Sequence, residues 1–199
     1  VNGAKEEWEV GCLDDIATPL RKTVTPKEMS AELAYIGLEH MPQRSIALDA
    51  WATAEKVASN KTRFERGDIL FGKLRSYFHK VGVAPVSGVC STDIIVMRPK
   101  ETNWFGFLLG HVSSTAFVEF TSAGATGTRM PRTSWADMTR YQFPLPPPSV
   151  AAEFNKLVEH MVDRIIANTH ESRTLATLRD TLLPKLMRGE VRVKTTQYT

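Results

Sequence analysis

A long segment near the C-terminus, residues 149–183, contains neither glycine nor proline, and it constrains the fold more than any other feature. Three consecutive prolines, residues 146–148, stand directly before it, and each removes a backbone N–H and restricts the residue that precedes it. Ser149 then occupies the place of an N-cap, and Pro184 followed by Gly189 marks the end. The sequence therefore predicts one helix over about residues 149–183, on the order of 50 Å long.

An apolar stripe follows this predicted helix with the three- and four-residue spacing of helices that pack on other helices. The residues expected to make helix–helix contacts are Phe154, Leu157, Val158, Met161, Ile165, Leu175, Leu178 and Leu182. Polar residues interrupt the stripe at Asn168, Thr169 and Ser172. Two interpretations remain open, a helix that lies along its own domain and a protruding helix that pairs with a second one. The length favours the protruding helix, because one small domain cannot cover it.

Composition sets the broad class of the chain. With 199 residues, of which 42% are hydrophobic, the chain can form one good core. It has no apolar run near the ~20 residues that a membrane helix needs, and its polar N-terminus does not resemble a signal peptide. The two isolated cysteines, Cys12 and Cys90, favour a reduced, cytoplasmic compartment. The net charge of +3 permits a polyanionic partner without requiring one.

Short apolar segments before the helix predict a mixed α+β fold. A short edge strand and a turn are expected over residues 8–16. Strands are expected near residues 34–39 and 69–71, and two further strands between residues 81 and 98 flank a turn. Residues 104–120 have helical spacing, and residues 140–146 are strand-like. The resulting architecture is a domain with a mixed sheet, followed by the long C-terminal helix.

Two basic segments carry residue types that contact nucleic acids. The long connection 41–63 contains Arg44, Ser59, Asn60, Lys61 and Arg63. In the segment 73–80, Lys73, Arg75 and Lys80 alternate with aromatic residues, of which Tyr77 is the candidate for contact. A solvated loop with a core phenylalanine explains the second segment equally well, so both interpretations stay open.

Residues 67–73 match most of the phosphate-loop pattern GxxxxGK, but that interpretation fails on two counts. Leu74 stands where the pattern needs Ser or Thr to hold magnesium. The interior Ile69–Phe71 is apolar and predicts a buried strand, which is incompatible with a flexible phosphate cradle. A later loop, residues 122–131, is rich in glycine and threonine and carries Thr128 and Arg129, with Arg132 just beyond it. Its backbone is expected to approach a ligand closely.

Evidence for catalysis is weak in this sequence. The patterns HExxH, GxSxG, CxxC and GxGxxG are absent, and the pair Asp14 and Asp15 is expected to cap a turn. One alternative is a small metal-dependent nuclease or nucleotide hydrolase built around Asp68, Lys73 and Asp93. Another is an interaction module that binds no DNA and only presents the helix.

Several stretches, taken together and in this order, resemble the specificity (S) subunit of type I restriction-modification systems. They are residues 64–75 (FERGDILFGKLR), 88–93 (GVCSTD), 127–132 (GTRMPR) with Trp135, 144–148 (PLPPP) and 178–186 (LRDTLLPKL) with Gly189 and Glu190. The nearest match is a half-subunit, one target-recognition domain with its helix. The resemblance divides the chain into a DNA target-recognition domain (1–147), a long pairing and spacer helix (148–189) and a C-terminal tail (190–199).

The resemblance implies a non-catalytic chain that reads one half of a bipartite sequence in double-stranded DNA. Its helix would pack antiparallel against a second such helix, from another half-subunit or from a second copy in a homodimer. The chain itself would bind no cofactor or metal. Modification (methyltransferase) subunits would supply the S-adenosylmethionine chemistry, and a restriction subunit would supply the translocation and cleavage that need ATP and magnesium.

The residues expected to contact DNA are chosen by residue type and by their position in loops. Phosphates are assigned to Lys61, Arg63, Lys73, Arg75 and Lys80. Base readout is assigned to the segment from Arg44 to Asn60 and to Arg129 or Arg132. The full DNA-binding set is Arg44, Ser59, Asn60, Lys61, Arg63, Lys73, Arg75, Tyr77, Lys80, Thr128, Arg129 and Arg132.

Overall fold

Short apolar runs separated by turns fold into short strands, and Pro146 and Pro147 precede one long helix. The computed structural model describes residues 8–125 and 130–191. The strands are β1 (Glu9–Gly11), β2 (Ala17–Leu20), β3 (Thr23–Val24), β4 (Ala34–Ile36), β5 (Ala52–Thr53), β6 (Lys61–Phe64), β7 (Ile69–Gly72), β8 (Val81–Val83), β9 (Gly88–Cys90), β10 (Ile94–Pro99) and β11 (Phe143–Leu145). The helices are α1 (Leu13–Ile16), α2 (Phe105–Val112), α3 (Thr115–Ala123), α4 (Trp135–Met138) and α5 (Pro148–Met187).

The strands form three sheets. The order β2-β10-β7-β8 makes an antiparallel sheet of four strands, and the order β3-β6-β9-β4-β5 makes a sheet of five. The five-stranded sheet is mixed, because β4 and β9 run parallel while its other pairs are antiparallel. Strands β1 and β11 form a separate pair. These sheets and the long α5 confirm the predicted α+β class.

Strand β7 lies between two hydrophobic clusters, which explains its continuous apolar sequence. Ile69 and Phe71 face a cluster that includes residues of α2, α3 and α5, and the Phe71 ring meets Phe117 edge-on at 5.9 Å. Leu70 faces the second cluster, with Phe64 and residues of β4 and β10. This buried strand confirms that residues 67–73 are not a phosphate cradle.

His111 on α2 is a core residue surrounded by aromatic rings. Its ring centroid lies 3.9 Å from that of Phe143, and the rings of Phe107, Phe117 and Tyr141 are within 6 Å. Burial lowers the pKa of His111 to about 4. The residue is therefore neutral near pH 7, as expected for a packed core histidine.

The helices differ from the predicted ones at three places. Residues 104–120 form two helices, because Ser114 begins α3 by accepting a hydrogen bond from the Phe117 N–H at 3.2 Å. Helix α5 begins at Pro148, whose fixed φ suits the first helical position, so Ser149 is not the N-cap. Pro184 is accommodated inside the last turns, and the helix extends to Met187.

None of the helices within residues 8–125 and 130–191 is both long and apolar enough to cross a membrane.

Candidate nucleic-acid interface

The linker 91–93, between β9 and β10, brings the ends of strands from both large sheets to one edge of the domain. Cys90, the last residue of β9, pairs with Thr62 of β6, and Ile94, the first residue of β10, pairs with Gly72 of β7. The residues that precede β6 and those that follow β7 therefore lie on either side of the linker. We call this region the basic edge and define it as residues 59–61, 73–80, 91–93 and 130–132.

Backbone hydrogen bonds fix the basic edge. The Lys73 N–H donates to the Asp93 carbonyl at 2.9 Å, and the Arg75 N–H donates to the Pro131 carbonyl at 2.8 Å. The Thr133 N–H donates back to the Lys73 carbonyl at 3.1 Å, so the segment after β7 is held between two others. Side chains that the sequence separates by about 60 residues are thus placed beside each other.

An ion pair between Arg132 and Asp93 lies at one side of the basic edge. The Arg132 guanidinium donates from Nε to Asp93 Oδ1 at 2.9 Å and from a terminal nitrogen to Oδ2 at 3.4 Å. These hydrogen bonds raise the pKa of Arg132 above its usual value. Both side chains are partly exposed, so the pair is accessible to an incoming anion while it orients Arg132.

The structure brings several predicted DNA-binding residues to this edge. Ser59 and Asn60 are exposed and precede β6, and Lys61 Nζ is held by Ser59 Oγ at 2.6 Å. Lys73 and Arg75 are partly exposed, and Tyr77 is exposed. Within the described residues the Lys73 ammonium has no ion-pair partner.

Three other predicted residues are placed differently. Arg44 joins the edge through its backbone, since its N–H donates to the His79 carbonyl at 2.9 Å. The Lys80 ammonium donates to the Leu38 carbonyl at 2.5 Å and is partly buried, so it anchors a loop. Arg63 is exposed on β6 opposite Val89, further along the strand from the edge. Thr128 and Arg129 lie outside the described residues.

The structure does not bring all three residues of the alternative catalytic site together, because Lys73 and Asp93 are neighbours at the basic edge but Asp68 is not near them. Asp68 and Lys73 stand at opposite ends of the extended strand β7, which puts them about 16 Å apart at ~3.3 Å per residue. Asp68 is bound by Arg98 at 2.7 Å, and Asp93 is bound by Arg132. Burial also raises the pKa of the Cys90 thiol to about 12, which removes it as a nucleophile. Among the described residues no group of three acidic, histidine or cysteine side chains could hold a metal ion.

The first part of α5 packs on its own domain, at the end of β7 opposite the basic edge. Val162 and Ile166 are buried in the main core cluster. Asn155 is buried, and its Oδ1 accepts a hydrogen bond from the Gly106 N–H of α2 at 2.7 Å. Val158, predicted to pair with a second helix, instead packs against this cluster, because it faces the same side as Asn155 and Val162.

A contact cluster marks the point where α5 leaves the domain. The Arg173 guanidinium lies 3.7 Å above the Trp51 ring and donates to the Asp49 carbonyl at 3.1 Å. One turn earlier, His170 Nε2 donates to the Pro85 carbonyl at 3.0 Å. Beyond Arg173 the helix continues to Met187 with its leucines exposed. The helix therefore lies along its own domain in its first part and projects from the domain in its last part.

A second, exposed apolar face runs along α5. Its members Phe154, Leu157, Met161, Leu175, Leu178 and Leu182 are between 42% and 59% exposed, a high fraction for such side chains. Ile165 is partly buried between the two faces. A single row at seven-residue intervals contains Phe154, Met161, Asn168, Leu175 and Leu182, which is the repeat of a helix that pairs with another helix. We call these residues the exposed row.

Comparison with known proteins identifies the family. The model of the "Type I restriction modification DNA specificity domain" matches residues 5–173. This chain belongs to that family. The family is one of specificity domains, which agrees with the non-catalytic class expected from the sequence.

The similar proteins are longer than this chain. The EcoDI specificity subunit of Escherichia coli is 28% identical over 142 residues, which are 68% of this chain and 31% of that protein. The HsdS subunit from Thermoanaerobacter tengcongensis has a TM-score of 0.62 at 20% identity, over 93% of this chain and 48% of that one. The S subunit from M. genitalium has a TM-score of 0.59 at 13% identity, over 94% and 47%. The specificity domain thus spans about a third to a half of these relatives, and the structures support its fold.

Some functional residues could not be found by sequence reasoning. The Asp93–Arg132 pair joins residues 39 positions apart, and nothing local signals it. The contact between Trp51 and Arg173 spans more than a hundred residues. Asn155 could have been found from the sequence, because it lies four residues after Ala151 and therefore on the same face of the helix. A polar residue at that position was not expected to be buried.

Proposed function

We propose that this specificity domain recognises one half of a bipartite sequence in double-stranded DNA, with the basic edge as its DNA-contacting surface. The observation that carries the proposal is the convergence of Lys73, Arg75 and Arg132 on one rigid edge, with Ser59 and Asn60 beside them. Cations on a fixed backbone bind phosphates, and the adjacent amide and hydroxyl groups can read base edges. The opposite end of β7 is occupied by α5, which leaves the basic edge accessible.

Salt dependence tests this part of the proposal. Each phosphate contact that is lost lowers the slope of log affinity against log salt by about 1. We expect Lys73→Ala and Arg75→Ala each to weaken binding to a 40-base-pair duplex of mixed sequence and to reduce this slope. Lys185→Ala, on the projecting part of α5, serves as the matched control. Slopes equal to that of the unsubstituted chain would remove the basic edge from the DNA footprint.

The proposal assigns the exposed row of α5 to a second helix of the same kind, packed antiparallel. The row is symmetric about its centre, so an antiparallel copy sets Asn168 opposite itself and Met161 near the partner's Leu175. A polar residue at the centre of such an interface fixes the register. The second helix would come from another copy of the chain or from the other half of a longer subunit.

Light scattering across a dilution series tests the helix pairing. We expect a dimer for the unsubstituted chain and a monomer for Leu175→Asp, because an unpaired carboxylate is costly to bury. Thr177→Asp places the same charge on a different face of the same turn and should leave the dimer intact. An unsubstituted chain that is monomeric throughout would assign the row to the other half of a longer subunit.

The paired specificity domains would bring DNA to partner subunits of a restriction-modification complex. In this arrangement modification subunits carry out methylation, and a restriction subunit carries out translocation and cleavage. The described residues support this division, because the carboxylates considered for catalysis are each bound by an arginine.

A further inference from the structure

The basic edge carries an exposed pair of aromatic side chains that neither the core nor the fold explains. Tyr77 is 55% exposed and Phe78 is 36% exposed, and their ring centroids are 4.8 Å apart. They stand on a single 3-10 turn, residues 76–78, between β7 and β8. Large aromatic side chains normally bury most of their surface, so this pair presents apolar area to solvent at the proposed DNA surface.

The turn is held in an unfavourable backbone conformation on both sides. Arg75 has φ 51° and His79 has φ 52°, in the left-handed region that residues other than glycine rarely adopt. Such strain persists only where the surroundings enforce it, and it is concentrated at functional sites. The two left-handed residues flank the turn at which the chain reverses between the antiparallel strands β7 and β8.

Buried side chains fix the base of the turn. Ser76 is 2% exposed, and its Oγ lies 3.1 Å from Ser122 Oγ of α3. His79 is 7% exposed, and its Nε2–H donates to the Ser113 carbonyl at 2.7 Å. The residues at both ends of the turn are therefore anchored in the domain, while the two aromatic rings between them point outward.

Cationic side chains lie in the same part of the basic edge as the exposed rings. Lys73 and Arg75 precede the turn, and Arg132 is bridged to the same segment through its pairing with Leu74. A base-pair step of DNA has the complementary arrangement, an apolar stack with a phosphate on each side. Aromatic rings stack on any base, because every base has a π-face.

From these contacts we infer that Tyr77 is a wedge that partly unstacks one base-pair step of the bound duplex, with Phe78 as its support. This inference rests on the proposed function and adds a mode of recognition to it, through the deformability of the DNA. The neighbouring cations would hold the flanking phosphates while the ring enters the step. The wedge requires no particular base and is independent of the residues that read base edges.

Duplexes with a weakened step test the wedge. Two 30-base-pair duplexes of the same mixed sequence would be compared, one intact and one with a central abasic site. A wedge gains affinity where stacking is already lost, so we expect the unsubstituted chain to bind the abasic duplex about 5- to 20-fold more tightly. Tyr77→Ala should bring this ratio close to 1, while Tyr77→Trp should preserve it.

The controls separate the wedge from general DNA binding. Trp8→Ala removes another exposed aromatic ring, which lies outside the basic edge, and should keep the ratio of the unsubstituted chain. Tyr77→Ala should also keep the salt dependence of binding, since the phosphate contacts remain. An unsubstituted chain that binds both duplexes equally would overturn the wedge while leaving the proposed function intact. A chain that binds neither duplex would overturn both.

Discussion

The charged side chains at the two ends of strand β7 differ in how deeply they are buried. At one end Asp68 is 3% exposed and is held by the Arg98 guanidinium through two hydrogen bonds, of 2.7 and 3.0 Å. At the other end Lys73 and Asp93 are partly exposed, and the carboxylate of Asp93 holds Arg132 near the surface. The first end supports α5 and the second end forms the basic edge. Under the proposed function, one end of the strand contributes to stability and the other end to DNA recognition.

This difference explains how the domain can be rigid and still bind a charged ligand. Buried charges at the helix end are costly to leave unpaired, so their partners are fixed. Exposed charges at the basic edge interact weakly with each other and can exchange partners. Substitutions at the first end should change the free energy of unfolding, and substitutions at the second end should change DNA binding.

The largest effect is expected where α2 and α5 touch. A Cβ atom added at Gly106 would lie 2.9 Å from Val158 Cβ and 3.1 Å from Asn155 Cα, so the helices would have to move apart. We expect Gly106→Ala to lower the free energy of unfolding by about 2–3 kcal/mol, measured by urea denaturation.

Gly110 provides the control for this substitution. It lies on the same helix, and among the described residues no atom beyond its own stretch of helix backbone comes within 4 Å of an added Cβ. Gly110→Ala should therefore be neutral or stabilise by up to about 1 kcal/mol. Equal losses at the two positions would show that the contact between α2 and α5 does not determine stability.

Substitutions of Asp68 and Asp93, one at each end of β7, test whether the two ends differ in their contribution to stability. Asp68→Asn weakens the hydrogen bonds to Arg98 inside the domain and should cost about 2 kcal/mol of unfolding free energy. Asp93→Asn should cost less than about 1 kcal/mol, because its pair with Arg132 is partly solvated.

DNA binding should respond in the reverse order. Asp93→Asn removes a negative charge beside Arg132 and should increase affinity for the duplex, with a salt slope steeper by up to about 1. Asp68→Asn should leave the slope unchanged in the folded protein. A stability loss that is larger for Asp93→Asn than for Asp68→Asn would contradict the assignment of the two ends.

The titration of His111 should make the stability of the domain depend on pH. Its pKa is about 4 in the folded protein and 6.5 in the unfolded chain, so the unfolded chain binds more protons between these values. Stability is therefore present above pH 6.5 and is lost as the pH falls toward 4. Because the ring is partly exposed, we expect a loss on the order of 1–2 kcal/mol. His111→Phe should flatten the pH dependence of the unfolding midpoint over this range.

Much of the fold could be predicted from local sequence patterns. The apolar run Ile69–Phe71 predicted β7, and the absence of glycine and proline after residue 148 predicted α5. Asp15 caps local structure as expected, since it accepts a hydrogen bond from the Cys12 N–H at 2.7 Å. These features depend on neighbours in sequence, which is why they could be recognised.

The two faces of α5 could not be separated in advance. The buried row (Ala151, Asn155, Val162, Ile166) and the exposed row lie about 100° apart on the helix, so they merge into one broad apolar band in the sequence. Which row faces the domain depends on contacts such as the one between Asn155 and Gly106. The basic edge was equally hidden, because it depends on the register of β10 beside β7.

The contact between Arg173 and Trp51 is the fulcrum, that is, the point about which the projecting part of α5 would tilt. From this point the helix extends about 21 Å to Met187, at ~1.5 Å per residue. A tilt of about 10° at the fulcrum would move the tip by about 4 Å, close to the ~3.4 Å spacing of successive base pairs. If two such helices pair as proposed, the stacking of one guanidinium on one indole would set the separation at which the two domains meet a duplex.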